Sequence, residues 1–82
     1  MIKIYSTDWC PYCVNAKQYF AEHNLDFEEV NIEQEEMSRQ ELAEITGGSS
    51  VPQIVINDKP IGGYTDLMAL HHSGRLQEML KE

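Results

Sequence analysis

A chain of 82 residues is one domain with a small core, and with only two cysteines it has no second disulfide to reinforce it. Fourteen acidic residues against six basic ones give a net charge of −8, which argues against nucleic acid and anionic membrane surfaces as partners. The sequence shows no signal-peptide pattern and no apolar run long enough to cross a membrane, and two cysteines able to cycle without an export signal are expected of a cytoplasmic protein.

Taken in order, Ile2 to Ser6 reads as a short strand, and Thr7-Asp8-Trp9 is the loop after it. A helix is predicted from about Pro11 to His23, with Cys13, Ala16 and Phe20 as an apolar stripe and Asn24 as a left-handed cap. Phe27 to Ile32 is a second strand, so the first three elements form a right-handed parallel βαβ unit. The next helix is predicted over Gln34 to Thr46, with Met37 at its start, Leu42 and Ile45 facing inward, and Gly47-Gly48 ending it. Ser49-Ser50-Val51-Pro52 is a loop, Gln53 to Ile56 a third strand, Asn57-Asp58-Lys59 a turn, and Pro60-Ile61-Gly62 an edge strand, where proline is tolerated. After Gly62-Gly63, Tyr64 or Thr65 caps a helix to about Ser73, with Asp66 in its first turn. Gly74 interrupts the pattern, and Arg75 to Lys81 forms a last short helix with Leu76, Met79 and Leu80 inward. The sum is βαβαββα plus a short C-terminal helix: an α/β fold with a four-stranded mixed sheet flanked by helices on both faces, forming a single domain over residues 1–82. Eight of the acids fall between positions 26 and 44; they read as a solvated face, with an electrostatic address for a basic partner protein as the sharper alternative.

The chemistry concentrates at Cys10-Pro11-Tyr12-Cys13, between a strand and a helix. A Cys-x-x-Cys pair at the mouth of a helix reads as a thiol–disulfide exchange site. The first turn presents unpaired N–H groups and the positive end of the helix dipole, so a thiolate at Cys10 sits there as an N-cap anion. Pro11 fits the first helical position, where its missing N–H costs nothing. Cys13, nearly one turn on, is the more shielded thiol; Cys10 is expected to be the exposed nucleophile and Cys13 the resolving thiol. Two other readings of the pair stay open. A structural disulfide over so short a loop stabilises little. A half zinc site needs two more ligands from His23, His71 and His72, and adjacent helical histidines point about 100° apart, a poor chelate.

Three motifs in order, Cys10-Pro11-Tyr12-Cys13, Ser50-Val51-Pro52 and Gly62-Gly63-Tyr64-Thr65-Asp66, make essentially the whole chain resemble a glutaredoxin of the bacterial dithiol class. The resemblance implies a thioredoxin fold and a glutathione-dependent thiol–disulfide oxidoreductase. Such an enzyme reduces protein disulfides and glutathione–protein mixed disulfides, serves cell redox homeostasis and donates electrons to reductases. Glutathione is implied as reducing co-substrate, with no permanently bound cofactor and no metal. The implied partners are disulfide-containing or glutathionylated proteins, a ribonucleotide reductase among the candidates, and monomer is the default state. Position by position, Val51 precedes the proline the family holds in cis, Pro52, and offers a backbone edge to the tripeptide. Thr65 and Asp66 resemble the pair that holds the γ-glutamyl end, Arg39 aligns with the residue reaching the glycyl carboxylate, and Tyr12 walls the groove. Two departures stand out. Thr7, followed by Asp8, occupies the place where many relatives have a lysine, so the thiolate relies more on the helix end and on N–H groups of Tyr12 and Cys13, and weaker glutathione affinity is expected. Trp9 before Cys10 is unusual and is similar to the Trp-Cys pair of thioredoxins. Two rivals remain: a disulfide reductase driven by thioredoxin reductase, and a module binding an iron–sulfur cluster through Cys10 and glutathione.

Overall fold

Alternation along the first strand sets up a two-sided core. In β1 (Ile2–Ser6), Ile2 and Ile4 face one side and Lys3 and Tyr5 the other, as successive strand residues must. The structure, a computed structural model, describes residues 1–81; residue 82, the end of the expected domain, lies outside the described residues. β1 pairs in parallel with β2 (Phe27–Asn31) and antiparallel with β3 (Gln53–Ile56), which pairs antiparallel with β4 (Lys59–Gly62). The order β2-β1-β3-β4 makes a mixed sheet of four strands.

On one face lie α1 (Pro11–Glu22), α3 (Tyr64–Ser73) and α4 (Arg75–Leu80), which bury Ala16, Phe20, Leu67 and Leu76 against Ile2, Ile4, Ile54 and Ile56. On the other lies α2 (Arg39–Thr46), which buries Leu42 against Tyr5 and Ile32. Full burial of a large apolar side chain contributes about 1.5–3 kcal/mol, so the face with eight buried residues carries most of the core and the α2 face much less. No helix of the described residues is long and apolar enough to cross a membrane.

The expected element order holds, with helices on both faces. Asn24 has the left-handed backbone expected of it (φ 56°), and Asn57 and Asp58 supply the positive-φ turn between β3 and β4. Three expectations are corrected. The helix predicted from Gln34 begins at Arg39. Asn31 Oδ1 accepts the Glu33 and Gln34 N–H groups in an Asx-type turn, and Glu36 takes a left-handed conformation, so residues 33–37 cannot continue a helix. Ser38 then starts it: its Oγ accepts the Glu41 N–H at 3.0 Å, and Glu41 reaches back to the Ser38 N–H, a capping box. Leu42 faces inward as expected, and the buried residue one turn after it is four positions on, not three. Ile45 is 48% exposed rather than inward, and Thr46 is buried in its place. The first residue of α3 is also preceded by Gly63, not capped by Tyr64 or Thr65.

The acidic stretch is not uniformly solvated. Glu29 Oε2 is 2.7 Å from Lys17 Nζ and accepts Ser6 Oγ–H at 2.6 Å, pinning α1 to the sheet. Lys17 and then Ser6 hold this carboxyl below the usual carboxylate range.

Candidate functional site

The loop after β1 is fixed from its neighbour strand, with Asn31 Nδ2 donating to Asp8 Oδ1 at 2.8 Å. It delivers Cys10 to the N-cap of α1 with an extended backbone (φ −89°, ψ 112°), and Pro11 fills the first helical position. Cys10 Sγ accepts the Cys13 N–H at 3.2 Å, so one orphan donor of the helix start is spent on sulfur. Of the two expected donors, Tyr12 and Cys13, the second is the one in place. Both cysteines are free thiols.

Cys10 is not exposed as expected; it is 3% accessible. The cause is the cap geometry itself, which folds Sγ back over the first turn and against the Val51 carbonyl, to which the thiol donates at 3.6 Å. An incoming disulfide must therefore displace that Val51 contact rather than meet a protruding sulfur. Cys13 is fully buried, and its thiol is pushed up to about 12, first by burial, then by its hydrogen bond with Cys10 and by the Cys10 charge; the Thr7 backbone N–H and Lys17 pull it back down. Cys13 thus stays a protonated thiol at neutral pH until exchange at Cys10 changes its surroundings. Unfolded chains lose this proton near 9.0 and the folded chain near 12, so stability is fully present below pH 9 and falls as pH rises between those values, by at most about 1.4 kcal/mol per pH unit. Urea unfolding of the reduced protein from pH 8 to 11 is expected to show this decline and the Cys13→Ala variant to lack its share; parallel slopes contradict it.

A groove of about 400 Å³ opens beside the active-site turn, lined by Tyr12, Val51, Pro52, Tyr64, Thr65 and Asp66, with Thr46, Gly47, Gly48, Ser50, Gln53, Gly62 and Gly63. The Val51–Pro52 peptide bond is cis, as the resemblance implied. Five expected residues (Tyr12, Val51, Pro52, Thr65 and Asp66) therefore share one concavity. Cys10 meets it through the Val51 carbonyl rather than lining it. Arg39 stands off the groove, its Nη1 donating to Ser49 O at 2.9 Å, two residues before Val51. Asp66 Oδ2 accepts the Gly63 N–H at 3.0 Å, so one oxygen caps α3 and the other is left for a cation. Gly62 permits this: its φ is +108°, and a Cβ there would lie 2.3 Å from Asp66 Oδ2.

Tyr64 has no expected role in the groove, yet its ring centroid stands 6.1 Å from that of Tyr12, and the pair forms one wall. Thr46 and Gln53 also reach the groove and carry no motif that marks them. Thr7, which stands where many relatives have a lysine, is 1% accessible, and its Oγ1 is the one buried side-chain oxygen or nitrogen among the described residues without a hydrogen-bond partner. A lysine at this position has to turn its ammonium outward. An unpaired buried hydroxyl costs about 1–3 kcal/mol, and recovery of about 1 kcal/mol shifts the midpoint of a domain this size by roughly 4–8 °C, so Thr7→Val is expected to raise the melting temperature by at least about 4 °C. An unchanged or lower midpoint in a thermal scan contradicts this.

The groups present can perform thiol–disulfide exchange: one sulfur at a helix N-terminus, a second one turn on, and a peptide-sized cleft alongside. Comparison with known proteins agrees. The glutaredoxin family model matches residues 2–61. A glutaredoxin of Pseudomonas aeruginosa is 42% identical over 79 residues, covering 96% of this chain and 94% of that one. Glutaredoxin 3 of Escherichia coli is 38% identical over 80 residues, covering 98% and 96%. Among solved structures, a buckwheat glutaredoxin–glutathione complex superposes with a TM-score of 0.87 at 27% identity, over 98% of this chain and 76% of that one. The Brucella melitensis glutaredoxin does so at 0.81 and 37% identity, over 98% and 87%.

Proposed function

The chain belongs to the glutaredoxin family and is a glutathione-dependent thiol–disulfide oxidoreductase of thioredoxin fold, and on that premise we propose that Cys10 attacks, Cys13 resolves and the adjoining groove seats glutathione. The observation that carries this is the placement of Cys10 Sγ between the Cys13 N–H and the groove's own Val51 carbonyl.

With a glutathione–protein mixed disulfide, the Cys10 thiolate attacks the glutathione sulfur and the substrate thiolate leaves and takes up a proton. A second glutathione thiolate then attacks the Cys10 adduct, restoring Cys10 and releasing oxidised glutathione. With a protein disulfide, Cys10 forms the first mixed disulfide, and Cys13, losing its proton, attacks Cys10 Sγ and expels the second substrate thiolate. Two electrons pass to the substrate and a Cys10–Cys13 disulfide remains, which two glutathiones reduce.

The helix start favours the thiolate electrostatically, and the Cys13 N–H supplies a directed hydrogen bond. The Val51 backbone edge suits the peptide of glutathione. Thr65 and Asp66 open α3, where backbone N–H groups suit the γ-glutamyl carboxylate and the free Asp66 oxygen its ammonium. Arg39, with donors left beyond the one on Ser49, serves the glycyl carboxylate. The family match favours this reading over one driven by thioredoxin reductase and over a cluster-binding module. Disulfide-bearing and glutathionylated proteins, a ribonucleotide reductase among them, fit as substrates for a cytoplasmic monomer. The test is whether the protein reduces cysteine–glutathione disulfide with glutathione as sole electron source, followed through glutathione reductase and NADPH. Turnover is expected; reduction with thioredoxin reductase alone overturns it.

A further inference from the structure

The three histidines of the chain, His23, His71 and His72, gather at the end of α1 opposite the nucleophile, about 18 Å along the helix from Cys10. His23 is the C-cap of α1, and His71 and His72 fall in the last turn of α3. Two helix C-termini therefore meet here, and their partly negative carbonyl ends favour a cation. Tyr19 holds two of the rings. His23 stacks on it at 4.1 Å between centroids, and His71 stands edge-on to it at 5.3 Å. Each ring also spends its Nδ1 on this one residue. His23 Nδ1 lies 2.9 Å from the Tyr19 carbonyl oxygen, which can only accept, so Nδ1 carries a proton and Nε2 of the neutral ring keeps its lone pair. His71 Nδ1 lies 2.7 Å from Tyr19 Oη. Burial pushes this phenol above its ordinary range, so it stays protonated, and its oxygen can accept Nδ1–H and leave Nε2 of His71 free as well. The two rings stand 5.7 Å apart and line one cavity of about 240 Å³ with Tyr19, over Leu25, Leu76 and Leu80.

We propose that His23 and His71 bind a divalent transition-metal ion of the zinc, copper and nickel type through their Nε2 atoms, with Tyr19 as the positioning residue. A metal about 2.0–2.1 Å from each imidazole nitrogen places two ring centres roughly 5–6 Å apart, and these two stand at 5.7 Å. A ligating histidine is ordinarily fixed in tautomer and direction by a hydrogen bond from its other nitrogen to an oxygen, and both such bonds are in place on Tyr19. Neutral imidazoles in a cavity whose described lining has no carboxylate and no thiol suit zinc, copper or nickel rather than magnesium or calcium. A net charge of −8 draws cations to the surface in general. Among the described residues no three His, Cys, Asp or Glu side chains are grouped to hold a metal, so His72 completes no triad and water takes the remaining positions. The result is a weak, exchangeable cross-link. It ties the far end of the helix that presents Cys10 to the far end of the helix that opens with Thr65 and Asp66.

The test titrates zinc chloride into the full-length protein by calorimetry in a buffer that does not bind metal. Thiolates are themselves zinc ligands, so Cys10 and Cys13 are first oxidised to their disulfide and the absence of free thiol is checked. Wild type is expected to bind one zinc per chain, saturating below about 1 mM, and to shift the imidazole proton resonances of His23 and His71 more than those of His72. His23→Gln and His71→Gln, each shown to be folded by thermal unfolding without metal, are expected to weaken binding about tenfold or more, and Tyr19→Phe, which removes only the hydroxyl on His71, about tenfold. His72→Gln is expected to leave affinity within about twofold of wild type, as a side chain outside the ligand pair should. Zinc is also expected to raise the melting temperature of the oxidised wild type and not that of the His23→Gln or His71→Gln variant. Absence of saturable binding up to about 1 mM overturns the proposal. So does binding that survives both His23→Gln and His71→Gln, or that His72→Gln weakens as much as they do. Unchanged affinity in Tyr19→Phe overturns the positioning role given to Tyr19.

Discussion

Cys10→Ser is expected to lower reduction of both protein disulfides and glutathione mixed disulfides to the background rate of free thiols, a loss of roughly two orders of magnitude or more. A serine hydroxyl fits the N-cap and still accepts the Cys13 N–H, so the fold has no reason to fail. What disappears is the one sulfur at the helix start. Cys13 cannot stand in, because it is fully buried, and burial, the largest cause that pushes its thiol up, persists in the variant. Rates with glutathione, glutathione reductase and NADPH, alongside a circular dichroism spectrum showing a folded variant, check the prediction. A folded variant with retained activity rejects the role given to Cys10.

Cys13→Ser divides the two reactions. Removal of glutathione from a mixed disulfide needs only Cys10 and a second glutathione, so that activity is expected to stay within about twofold of wild type, whereas reduction of an intramolecular protein disulfide falls about tenfold or more because the Cys10–substrate adduct loses its neighbouring resolving thiol. Here a buried position becomes an advantage: the Cys13 thiol waits 3 residues along the helix, beside the adduct but out of reach of solvent oxidants. Parallel assays on glutathionylated and internally disulfide-bonded forms of one substrate protein make the comparison. Equal losses on both contradict the division of labour.

The nucleophile and its helix were legible because three local rules agree at one place: Cys-x-x-Cys spacing, a proline at the first helical position, and a strand before it. The strands were legible for a similar reason, since Ile2, Ile4, Ile54 and Ile56 alternate with residues of the opposite face. The start of α2 lies at Arg39 rather than Gln34, although Ser38 and Glu41 spell a capping box; Gln34, Glu35 and Glu36 are good helix formers, and the Asx turn at Asn31 overrides them. The groove residues with motifs, Val51, Pro52, Thr65 and Asp66, could be named in advance, whereas Thr46 and Gln53 reach the same cleft only through tertiary packing. The burial of Cys10 was likewise hidden, because it depends on a carbonyl 41 residues away. Arg39 could be placed on α2 in advance, whereas the hydrogen bond of its side chain to the Ser49 carbonyl, beside the groove lining, depends on tertiary packing.

The most direct test uses the Cys13→Ser protein, incubated with oxidised glutathione, digested and mapped by mass spectrometry. The account predicts one glutathione per chain, disulfide-bonded at Cys10 and released by added glutathione. A chain that stays unmodified, or a wild-type chain whose glutathione is found on Cys13, contradicts it.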